Sequence, residues 1–591
     1  MITVNFLNEN ITVSVEPGTT LLTAQIAAGL MPDAPCGGMG VCGKCLVEMQ
    51  TETGSWLTVK ACTTPADRDM CVRTLRKDGS HRILTEGVGS LDEVAPPVRS
   101  SMLRVEKPTL AEPSADWERV SRAMEKTCGV RPEPDLVIAT GLRKTLEELE
   151  YAPQAVYFRN ELLCLRKGGR VLTAAVDIGT TTVVLYLADS GTGELLATGS
   201  RLNPQTEFGA DVISRANYAM LHGTEALSKA IWGAIQELLK QAIQDAGAKA
   251  EDVFSLIAVG NTCMHHLLLG LDPSSLVLSP YVPSISDMLI LNAADYCDGI
   301  HPRGKLIVLP CIAGFVGADT TAVMLSCEFD QREHLTLAID IGTNGELVLG
   351  DRFRTVACST AAGPAFEGAK ISCGMRGAEG AIDHAAWKDG QFTFSVIGVG
   401  APKGICGSGL LDLTAALLSA GLLDETGRFA DDDEIPAEAE VLACRLKTVD
   451  SQRVFVLSDP EPDRPAVCLT QRDIREVQLA KAAMAAGIEL MLEHLDRRVE
   501  EIEEVLIAGA FGNYMSPESA CAIGLIPRAF LGRIQTVGNA AGSGALLCAL
   551  NEASLRRTVS MVQKTEFLEL ASNPEFQDRF VDALNFPEEE L

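Results

Sequence analysis

The sequence predicts a multidomain α/β and α+β protein with a small N-terminal α+β domain, a linker, a small middle domain and a large duplicated C-terminal domain. Three observations support this prediction. Closely spaced cysteines follow a hairpin-and-helix pattern near the start of the chain, and a proline-rich stretch without hydrophobic periodicity comes after them. Later, a strand–Asp–turn–strand pattern occurs twice, and its aspartates, Asp177 and Asp340, are 163 positions apart (340 − 177).

Length and composition limit the class of protein. A chain of 591 residues is long enough for several domains, and 47% hydrophobic and 22% charged residues are typical of soluble globular proteins. The net charge of −29 argues against nucleic acid or an anionic membrane as the main partner. We see no signal peptide and no long uncharged apolar stretch, and the 18 cysteines mostly occur singly in apolar runs. We therefore expect reduced thiols and a cytoplasmic location.

The first 82 residues alternate short strands with one helix. ITVNFL and ITVSVE, separated by NEN, are typical of a β-hairpin. PGTTLLTAQIAAGL then predicts a helix with Thr19 or Thr20 as its N-cap. LVEM, after the cysteine-rich loop, predicts another strand. These elements describe a small α+β domain over residues 1–82.

The loop PCGGMGVCGKC, residues 35–45, allows two interpretations. Its GxxxxGK spacing matches a phosphate-binding loop, but Cys45 takes the place of the hydroxyl that would hold Mg²⁺, and a strand rather than a helix follows. Alternatively, Cys36, Cys42 and Cys45 form a C-x5-C-x2-C pattern, and the glycines allow the backbone to fold tightly around an iron–sulfur cluster. Zinc usually takes two separated cysteine pairs, whereas one is present here. We favour the iron–sulfur cluster.

A fourth thiolate ligand must come from elsewhere in the chain. Cys71 alternates with Met70 and Val72 in a strand-like run, so it can simply be packed. Cys62 lies just before Thr-Thr-Pro, at the end of a strand where a ligand can turn inward. The predicted cluster ligands are Cys36, Cys42, Cys45 and Cys62.

These residues resemble a β-grasp [2Fe–2S] ferredoxin over about the first 80 residues. The plant-type spacing is C-x4-C-x2-C, and the additional residue here resembles the adrenodoxin branch instead. The resemblance implies a [2Fe–2S] cluster as cofactor.

Two shorter segments follow. Residues 83–116 contain Pro96, Pro97, Pro108 and Pro113 and predict a semi-extended linker. Residues 117–172 predict a small middle domain, because WERVSRAMEKT and LRKTLEELE have helical patterns and YFRNELLCLR is strand-like. Its sequence predicts no function.

The repeat lies in the large domain, residues 173–591. AAVDIGTTTVVLYLAD and LAIDIGTNGELVLGD each predict a strand, an Asp, a tight turn and a second strand. One copy alone fits a type I turn in a hairpin, but two copies favour a phosphate clamp. Turn N–H groups and Thr or Asn side chains would contact phosphate oxygens, and each Asp would position Mg²⁺ through water. The predicted residues are Asp177, Gly179, Thr180, Thr181 and Thr182 in the first copy and Asp340, Gly342, Thr343 and Asn344 in the second.

The paired pattern resembles the superfamily of acetate and sugar kinases, heat-shock chaperone ATPases and actin, whose two halves close on ATP. The resemblance implies ATP and Mg²⁺ as ligands and an adenosine-binding motif late in the chain. EVLIAGAFGNYMS fits that motif, and GICGSGLL places small residues at a helix start suited to an anion or ribose. NAAGSGALLCAL is a further small-residue helix start. The predicted nucleotide contacts are Gly407, Ser408, Gly409, Gly509, Ala510 and Gly512.

Other polar residues of this domain carry weaker predictions. His265 and His266 are adjacent on a predicted helix and point about 100° apart, which favours a structural or interface role over shared metal ligation. Asp211 and Asp319 follow Gly-Ala at loop-to-helix junctions, which favours N-cap or first-turn positions, with Mg²⁺ or water positioning as the alternative. The small-residue run AGPAFEGAKISCGM, from Ala362, is expected to line the cleft.

The order of domains resembles the reductive activators of corrinoid proteins over essentially the whole chain. NPQTEFGADVISR, GNTCMHHLLLGLDP, STAAGPAFEGAKI and GICGSGLLDL look like hallmarks of that family. The last residues, FQDRFVDALNFPEEEL, contain no cysteine, unlike the branch with C-terminal [4Fe–4S] sites.

That resemblance implies ATP-dependent one-electron reduction of Co(II) to Co(I) on a corrinoid protein of a methyltransferase system. It also implies an upstream low-potential electron donor, and we expect a homodimer. Two alternatives stay open on fold-level grounds: a small-molecule kinase with a redox-sensing ferredoxin domain, and a non-enzymatic redox adaptor whose nucleotide site is degenerate.

Overall fold

The computed structural model forms two compact units, one made by residues 1–80 and the other by residues 81–591, apart from the short segments 378–380 and 397–399. It describes residues 2–7, 11–28, 46–50, 56–74, 94–342, 344–368, 370–398, 400–449, 452–461, 464–512 and 514–587. Cys36, Cys42, Cys45 and Thr343 lie outside the described residues.

The first unit is a five-stranded mixed sheet with one described helix. Its elements are β1 (Ile2–Phe6), β2 (Ile11–Val15), α1 (Leu21–Ala27), β3 (Leu46–Gln50), β4 (Trp56–Lys60) and β5 (Met70–Thr74). The strand order is β2-β1-β5-β3-β4, with β1 antiparallel to β2 and parallel to β5. Thr20 caps the helix, since its Oγ1 accepts a hydrogen bond from Thr23 N at 3.2 Å. The predicted hairpin, capped helix and β-grasp arrangement are confirmed.

The second unit begins with a small three-stranded sheet. Its elements are β6 (Val98–Met102), α2 (Asp116–Cys128), α3 (Leu136–Ala139), α4 (Leu142–Glu148), β7 (Gln154–Phe158) and β8 (Glu161–Arg166), in the strand order β6-β7-β8. The strand-like run YFRNELLCLR is a hairpin, which turns at Arg159 with a φ of 53°. Val98–Met102 lies in the stretch assigned to the linker but pairs with β7 along its length. The domain boundaries themselves stay predictions.

The first half of the large domain contains one six-stranded sheet, in the order β11-β10-β9-β12-β14-β13. Its strands are β9 (Leu172–Ile178), β10 (Thr182–Asp189), β11 (Leu195–Leu202), β12 (Val253–Gly260), β13 (Leu289–Asn292) and β14 (Lys305–Val308). Its helices are α5 (Val212–His222), α6 (Glu225–Asp245), α7 (Thr262–Leu269), α8 (Ser274–Val277) and α9 (Ala318–Ser326).

The second half contains another six-stranded sheet and two small three-stranded sheets. Its strands are β15 (Thr336–Ile341), β16 (Gly345–Gly350), β17 (Thr355–Thr360), β18 (Ala381–Lys388), β19 (Gln391–Val396), β20 (Gly404–Ile405), β21 (Leu446–Val449), β22 (Gln452–Ser458), β23 (Val467–Thr470), β24 (Glu504–Ala508), β25 (Ile534–Gly538) and β26 (Thr565–Phe567). Its helices are α10 (Gly407–Ser419), α11 (Gln471–His494), α12 (Gly509–Gly512), α13 (Pro517–Ala522), α14 (Ala540–Leu550), α15 (Glu552–Lys564) and α16 (Pro574–Asp582). Short 3-10 helices occupy Pro204–Glu207, Ala250–Asp252, Ala293–Asp295, Pro364–Glu367, Ala437–Arg445, Val499–Glu501 and Arg528–Phe530.

The two large sheets have the same topology, which confirms the predicted duplication. The second sheet runs β25-β24-β15-β16-β17-β26, so β15, β16, β17, β24 and β25 match β9, β10, β11, β12 and β14. Each central strand is buried at every position except its aspartate, Asp177 in β9 and Asp340 in β15. The fold therefore brings both aspartates to equivalent strand positions while the rest of each strand forms the core.

Helices α9 and α14 pack unusually closely because small residues line their contact. A Cβ added at Gly544 would overlap the carbonyl oxygen of Ala322. Backbone approaches backbone here, which only glycine allows. Among the described residues, no helix combines the length and the apolar composition that crossing a membrane requires.

Replacing Gly544 with Ala should destabilise the second unit, because the new methyl group has no space beside Ala322. We expect a loss of about 1–3 kcal/mol in the free energy of unfolding, measured by denaturant titration. Gly233→Ala is the matched control: Gly233 also lies inside a helix, but a Cβ there meets nothing within 4 Å. That variant should be about 0.5–1 kcal/mol more stable than the parent. Equal effects from the two substitutions would contradict the packing argument.

Candidate nucleotide site

The first predicted phosphate hairpin turns at residues 179–181, between β9 and β10. Neighbouring residues anchor this turn by donating hydrogen bonds to its backbone carbonyl groups. Asn203 Nδ2 donates to Gly179 O at 2.9 Å, and Asn203 N donates to Thr181 O at 2.9 Å. Arg215 donates from its guanidinium to Thr180 O. All three turn carbonyls therefore point into the protein.

This arrangement sets the direction of the neighbouring N–H groups. In a trans peptide the C=O and the following N–H point in opposite directions. The N–H groups of Thr180 and Thr181 thus point away from Asn203 and Arg215, and among the described residues they donate to no protein acceptor. Two successive outward N–H groups form an anion-binding concavity. This geometry is compatible with phosphate binding at the turn, which stays a prediction.

Arg215 places a fixed positive charge beneath this hairpin. Its side chain is fully buried, and its Nε donates to Gly209 O at 2.9 Å. Burial lowers the pKa of Arg215 to about 10, so the guanidinium stays protonated at neutral pH. A buried charge is costly unless a partner compensates for it, and an anion on the hairpin would be such a partner.

The second hairpin is not an exact copy of the first. Gly342 N donates to Asn344 O at 2.9 Å, and Ile341 pairs directly with Gly345, which leaves three turn residues. In the first copy, Ile178 pairs with Val183 and leaves four. A Cβ at Gly345 would overlap Met484 Sδ, which explains the glycine there.

Four carboxyl groups lie near enough to one another to interact electrostatically. Asp177 and Asp340 come from the central strands, Asp319 from the first turn of α9, and Glu346 from β16 directly opposite Asp340. Each is half-buried: protein surrounds it, while part of its surface faces solvent. Burial raises the pKa of Asp177 and of Asp340 to about 7 and that of Asp319 to about 6. Burial also raises the pKa of Glu346, and the neighbouring negative charges add to the effect for Asp177, Asp340 and Glu346.

This carboxyl cluster fits a hydrated Mg²⁺ ion. Like charges close together repel one another, and a divalent cation relieves that repulsion. Within the described ranges, no three His, Cys, Asp or Glu side chains lie close enough together to hold a metal ion directly. Mg²⁺ keeps several of its waters and usually binds through one or two carboxylates plus phosphate oxygens. The residues therefore suit Mg²⁺ that arrives with a nucleotide rather than a dedicated metal cage.

Glu367 connects the two halves of the site. Its Oε2 accepts a hydrogen bond from Thr181 Oγ1 at 2.8 Å, and its Oε1 lies 3.7 Å from the position a Cβ would take at Gly342. One carboxylate is thus hydrogen-bonded to the first hairpin and lies close to the second. The run from Ala362 contains this residue, in agreement with the expectation that the run lines the cleft.

Sequence reasoning missed Arg215, Glu346 and Glu367 as members of the site. Each touches the hairpins from a distant part of the chain or from the opposite strand: Arg215 is 35 positions from Thr180, and Glu367 is 186 from Thr181. Glu346 was detectable, since a charged residue two positions beyond the turn alternates into the same face as Asp340.

The other predicted nucleotide-contact glycines have clear packing roles. Gly509 has a φ of +87°, and a Cβ there would come within 2.7 Å of Asp340 Oδ1. A Cβ at Gly407 would overlap Phe366 O, and one at Gly409 would overlap Ile382 O. Gly512 packs on Ile507. Ser408 is buried at the start of α10, and Ala510 lies in α12. Close packing explains these glycines, and their contact with nucleotide stays a prediction.

The remaining polar predictions mostly concern structure. His266 Nδ1 contacts Thr262 O at 2.8 Å and its Nε2 accepts from Ser284 N at 2.9 Å, which confirms a structural role. Asp211 caps α5 by accepting from Ser214 N at 2.7 Å, as predicted. Asp319 lies in the first turn of α9 and also belongs to the carboxyl cluster.

In the first unit, the structure locates one of the four predicted cluster ligands. Cys62 is buried in the turn after β4, where Thr63 N donates back to Lys60 O at 3.1 Å. Cys71 lies in β5, as its alternation predicts. Cys36, Cys42 and Cys45 lie outside the described residues, so the ligand set stays a prediction.

Comparison with known proteins identifies the family. Family models match along the chain: a 2Fe-2S iron–sulfur cluster binding domain at residues 2–77, the RACo linker region at 92–172, the RACo middle region at 172–332 and the C-terminal ASKHA domain of RACo at 334–591. The corrinoid activation enzyme RamQ of Eubacterium limosum is 35% identical over 587 residues, 97% of each chain. The chain belongs to the RACo family of corrinoid-protein activators.

Two further relatives agree with this membership. A solved structure of a reductive activator for corrinoid, iron–sulfur protein is 31% identical, with a TM-score of 0.77 over 100% of this chain and 99% of that one. The Co(II) methylated amine-specific corrinoid protein reductase of Methanosarcina barkeri is 24% identical over 443 residues, 70% of this chain and 76% of that relative. As in its family, this chain combines a [2Fe–2S] domain with an actin-like ATPase domain, so the predicted fold class is confirmed.

Replacing Asn203 with Ala should weaken MgATP binding about tenfold, because Gly179 O loses its partner and the turn no longer holds its N–H groups outward. Isothermal titration calorimetry measures the affinity. Asn203 also caps the 3-10 helix Pro204–Glu207 by accepting from Gln205 N. Asn573→Ala is therefore the matched control, since Asn573 caps α16 by accepting from Glu575 N but lies outside the site. Unchanged affinity in Asn203→Ala, or an equal loss in the control, would contradict the anchoring role.

Nucleotide-free protein should lose stability as the pH rises from about 4 to about 7 and change little from these groups above that range. The folded-state pKa values of Asp177 and Asp340, about 7, exceed the unfolded value of about 3.9, so protonated carboxyls stabilise the fold at low pH and ionised ones do not. MgADP should therefore raise the melting temperature more at pH 8 than at pH 5.5.

Asp340→Asn tests the same idea by removing one charge. Thermal unfolding at pH 8 should show higher stability without Mg²⁺ and a smaller gain on adding MgADP. The exposed Asp389→Asn is the control and should behave like the parent at both pH values. A Mg²⁺ effect that is independent of pH would refute the assignment of the carboxyl cluster.

Proposed function

We propose that this chain is an ATP-dependent reductive activator that transfers one electron to the Co(II) corrinoid of a partner protein and produces Co(I). The observation that carries the proposal is one chain with two functional parts: a [2Fe–2S] domain and a cleft with paired phosphate hairpins. Neither part needs the other for its usual work. Their presence in one chain favours electron transfer coupled to nucleotide binding.

The need for ATP follows from the energetics. Plant-type [2Fe–2S] clusters, whose cysteine spacing this loop does not share, have a reduction potential near −400 mV, and Co(I) is a stronger reductant than even these. Each 100 mV of mismatch costs about 2.3 kcal/mol for one electron. A ligand that prefers one conformation of the complex by roughly 50-fold offsets that amount. The free energy of nucleotide binding is therefore large enough to offset such a mismatch by remodelling the partner's cobalt site.

The contacts of Thr181 suggest how nucleotide changes the conformation. Thr181 Oγ1 donates to Glu367, which belongs to the other half of the domain. A phosphate oxygen bound at the hairpin competes for the same hydroxyl proton and brings negative charge toward Glu367. Nucleotide binding would then replace a direct link between the halves by links through phosphate and Mg²⁺.

The finer assignments belong to the same proposal. The hairpins, with Asp177 and Asp340, hold the phosphates and Mg²⁺, and Cys36, Cys42, Cys45 and Cys62 hold the cluster, which supplies single electrons when bound. The partner is a corrinoid protein of a methyltransferase system, and an upstream low-potential donor reduces the cluster. We also propose a homodimer and a cytoplasmic location.

Cys45→Ser should remove the visible absorption of the cluster and leave the calorimetric affinity for MgATP unchanged, because the two sites lie in separate units. The exposed Cys444→Ser is the matched control and should keep both properties. Loss of MgATP binding in Cys45→Ser would instead support a phosphate-binding role for the loop at residues 35–45.

The function is tested by anaerobic visible and EPR spectroscopy of the protein mixed with a Co(II) corrinoid protein and a chemical reductant. The Co(II) EPR signal should disappear and Co(I) absorption should appear only when MgATP is present. A corrinoid that stays Co(II) under these conditions contradicts the proposal.

Two further experiments test the alternative functions. ATP-dependent phosphorylation in a screen of sugars and carboxylates would favour a small-molecule kinase. Absence of ATPase activity, even with the corrinoid partner present, would favour a non-enzymatic redox adaptor.

A further inference from the structure

Two cysteines from separate segments of the second half lie against each other. Cys373 belongs to the loop before β18, and Cys468 belongs to β23. Cys468 N donates to Cys373 Sγ at 3.5 Å, and Cys373 Sγ also lies 3.7 Å from Ala466 O. Because N–Cα is about 1.46 Å, Cys373 Sγ lies within about 5 Å of the Cys468 Cα. Both residues are half-buried, so small reagents can reach them.

The backbone around Cys373 is fixed against the strand that carries Cys468. Ile405 N donates to Cys373 O at 2.8 Å. Ser372 N and Oγ donate to Asp473 Oδ1 at 2.8 and 3.0 Å, and Asp473 belongs to the first turn of α11, directly after β23. The two thiols are therefore held as neighbours by contacts on both sides of the loop.

The two thiols have opposite electrostatic environments. The hydrogen bond from the Cys468 thiol lowers the pKa of Cys373, and the Cys468 N–H adds to this, against burial and the nearby Asp473 carboxylate. The same thiol–thiol contact raises the pKa of Cys468. The Cys468 N–H that donates to Cys373 Sγ stabilises a thiolate on Cys373, so Cys373 is the expected nucleophile of the pair and Cys468 the expected resolving thiol.

We propose that Cys373 and Cys468 form a reversible dithiol–disulfide couple. The Cys373 thiolate attacks one sulfur of a low-molecular-weight disulfide, forms a mixed disulfide and expels one thiolate. Cys468 then loses its proton and attacks Cys373 Sγ, which forms the Cys373–Cys468 bond and releases the second thiolate. One disulfide is reduced to two thiols while the protein dithiol is oxidised by two electrons.

The position of this pair connects it to the nucleotide cleft. Gly374 packs against Gly368, since a Cβ at Gly374 would overlap Gly368 O, and Gly368 directly follows Glu367. A covalent bond at Cys373 would fix one end of the segment whose other end contacts Thr181. This consequence rests on the proposed function of the cleft, whereas disulfide formation does not.

Mass spectrometry of the full-length holoprotein tests the couple. Anaerobic protein is treated with excess oxidised glutathione at pH 7, quenched in acid, alkylated and digested with trypsin. The peptides 371–376 and 454–472 should appear linked by a disulfide that dithiothreitol cleaves. In Cys468→Ser, Cys373 should retain glutathione, whereas in Cys373→Ser, Cys468 should stay unmodified.

Cys444, an exposed cysteine of the same half, is the internal control. Cys373 should react about tenfold faster than Cys444, because the Cys468 N–H that donates to Cys373 Sγ stabilises the attacking thiolate. Absence of the linked peptide under conditions that modify Cys444, or equal glutathionylation of Cys373 and Cys468 in the single variants, would overturn the proposal. MgATP affinity of the oxidised and reduced protein is measured separately. If the disulfide forms but the MgATP affinity does not change, the dithiol–disulfide couple is supported and only its effect on the cleft is ruled out.

Discussion

The inward anchoring of the first hairpin's carbonyls is the interaction on which the nucleotide site depends. Asn203 and Arg215 hold the carbonyls of Gly179, Thr180 and Thr181, and the trans geometry of the peptide then turns the Thr180 and Thr181 N–H groups outward. A hairpin of the same sequence without these partners would be free to present its carbonyls to a phosphate and repel it. Arg215 adds a fixed positive charge behind the same turn. The site is therefore preorganised for an anion before any ligand binds.

The carboxyl cluster complements this anion site. Burial disfavours the ionised forms of four neighbouring carboxyl groups, Asp177, Asp319, Asp340 and Glu346, and repulsion by nearby carboxylates adds to this for Asp177, Asp340 and Glu346. A ligand that brings phosphates and a divalent cation together satisfies both parts of the site. Glu367 is hydrogen-bonded to the first hairpin and lies close to the second, so charge that arrives with the ligand would act on a carboxylate that links the two halves. Binding energy can thus be converted into a change in how the halves are linked.

Local sequence patterns were sufficient to predict the fold class of this protein. The duplicated domain followed from two DIGT hairpins, and the matched strand orders confirm it. Asp177 and Asp340 were identifiable because a charged residue interrupts an otherwise apolar strand in both copies. The β-grasp unit followed from the hairpin, the capped helix and the cysteine spacing.

Other features could not be predicted because they depend on tertiary contacts. Arg215 ends the run NPQTEFGADVISR that resembles the family, but the local helical pattern does not separate a buried arginine beneath a turn from an ordinary surface residue of α5. The strand Val98–Met102 (VRSSM) lacks apolar alternation and exists because it pairs with β7 at a sheet edge. The glycines at 407 and 409 suggested ligand contact, whereas their own neighbours are the carbonyls of Phe366 and Ile382. Where two distant backbone segments approach this closely, the sequence shows only that a small residue occupies the position.

The most direct test is a crystal structure of the protein with MgADP and beryllium fluoride in place of the γ-phosphate. The account predicts fluoride or phosphate oxygens within about 3.1 Å of Thr180 N and Thr181 N. It also predicts Mg²⁺ bridged by water to Asp177 or Asp340, with the Thr181–Glu367 hydrogen bond broken. A nucleotide bound elsewhere, or one whose phosphates face the carbonyls of residues 179–181, would contradict it.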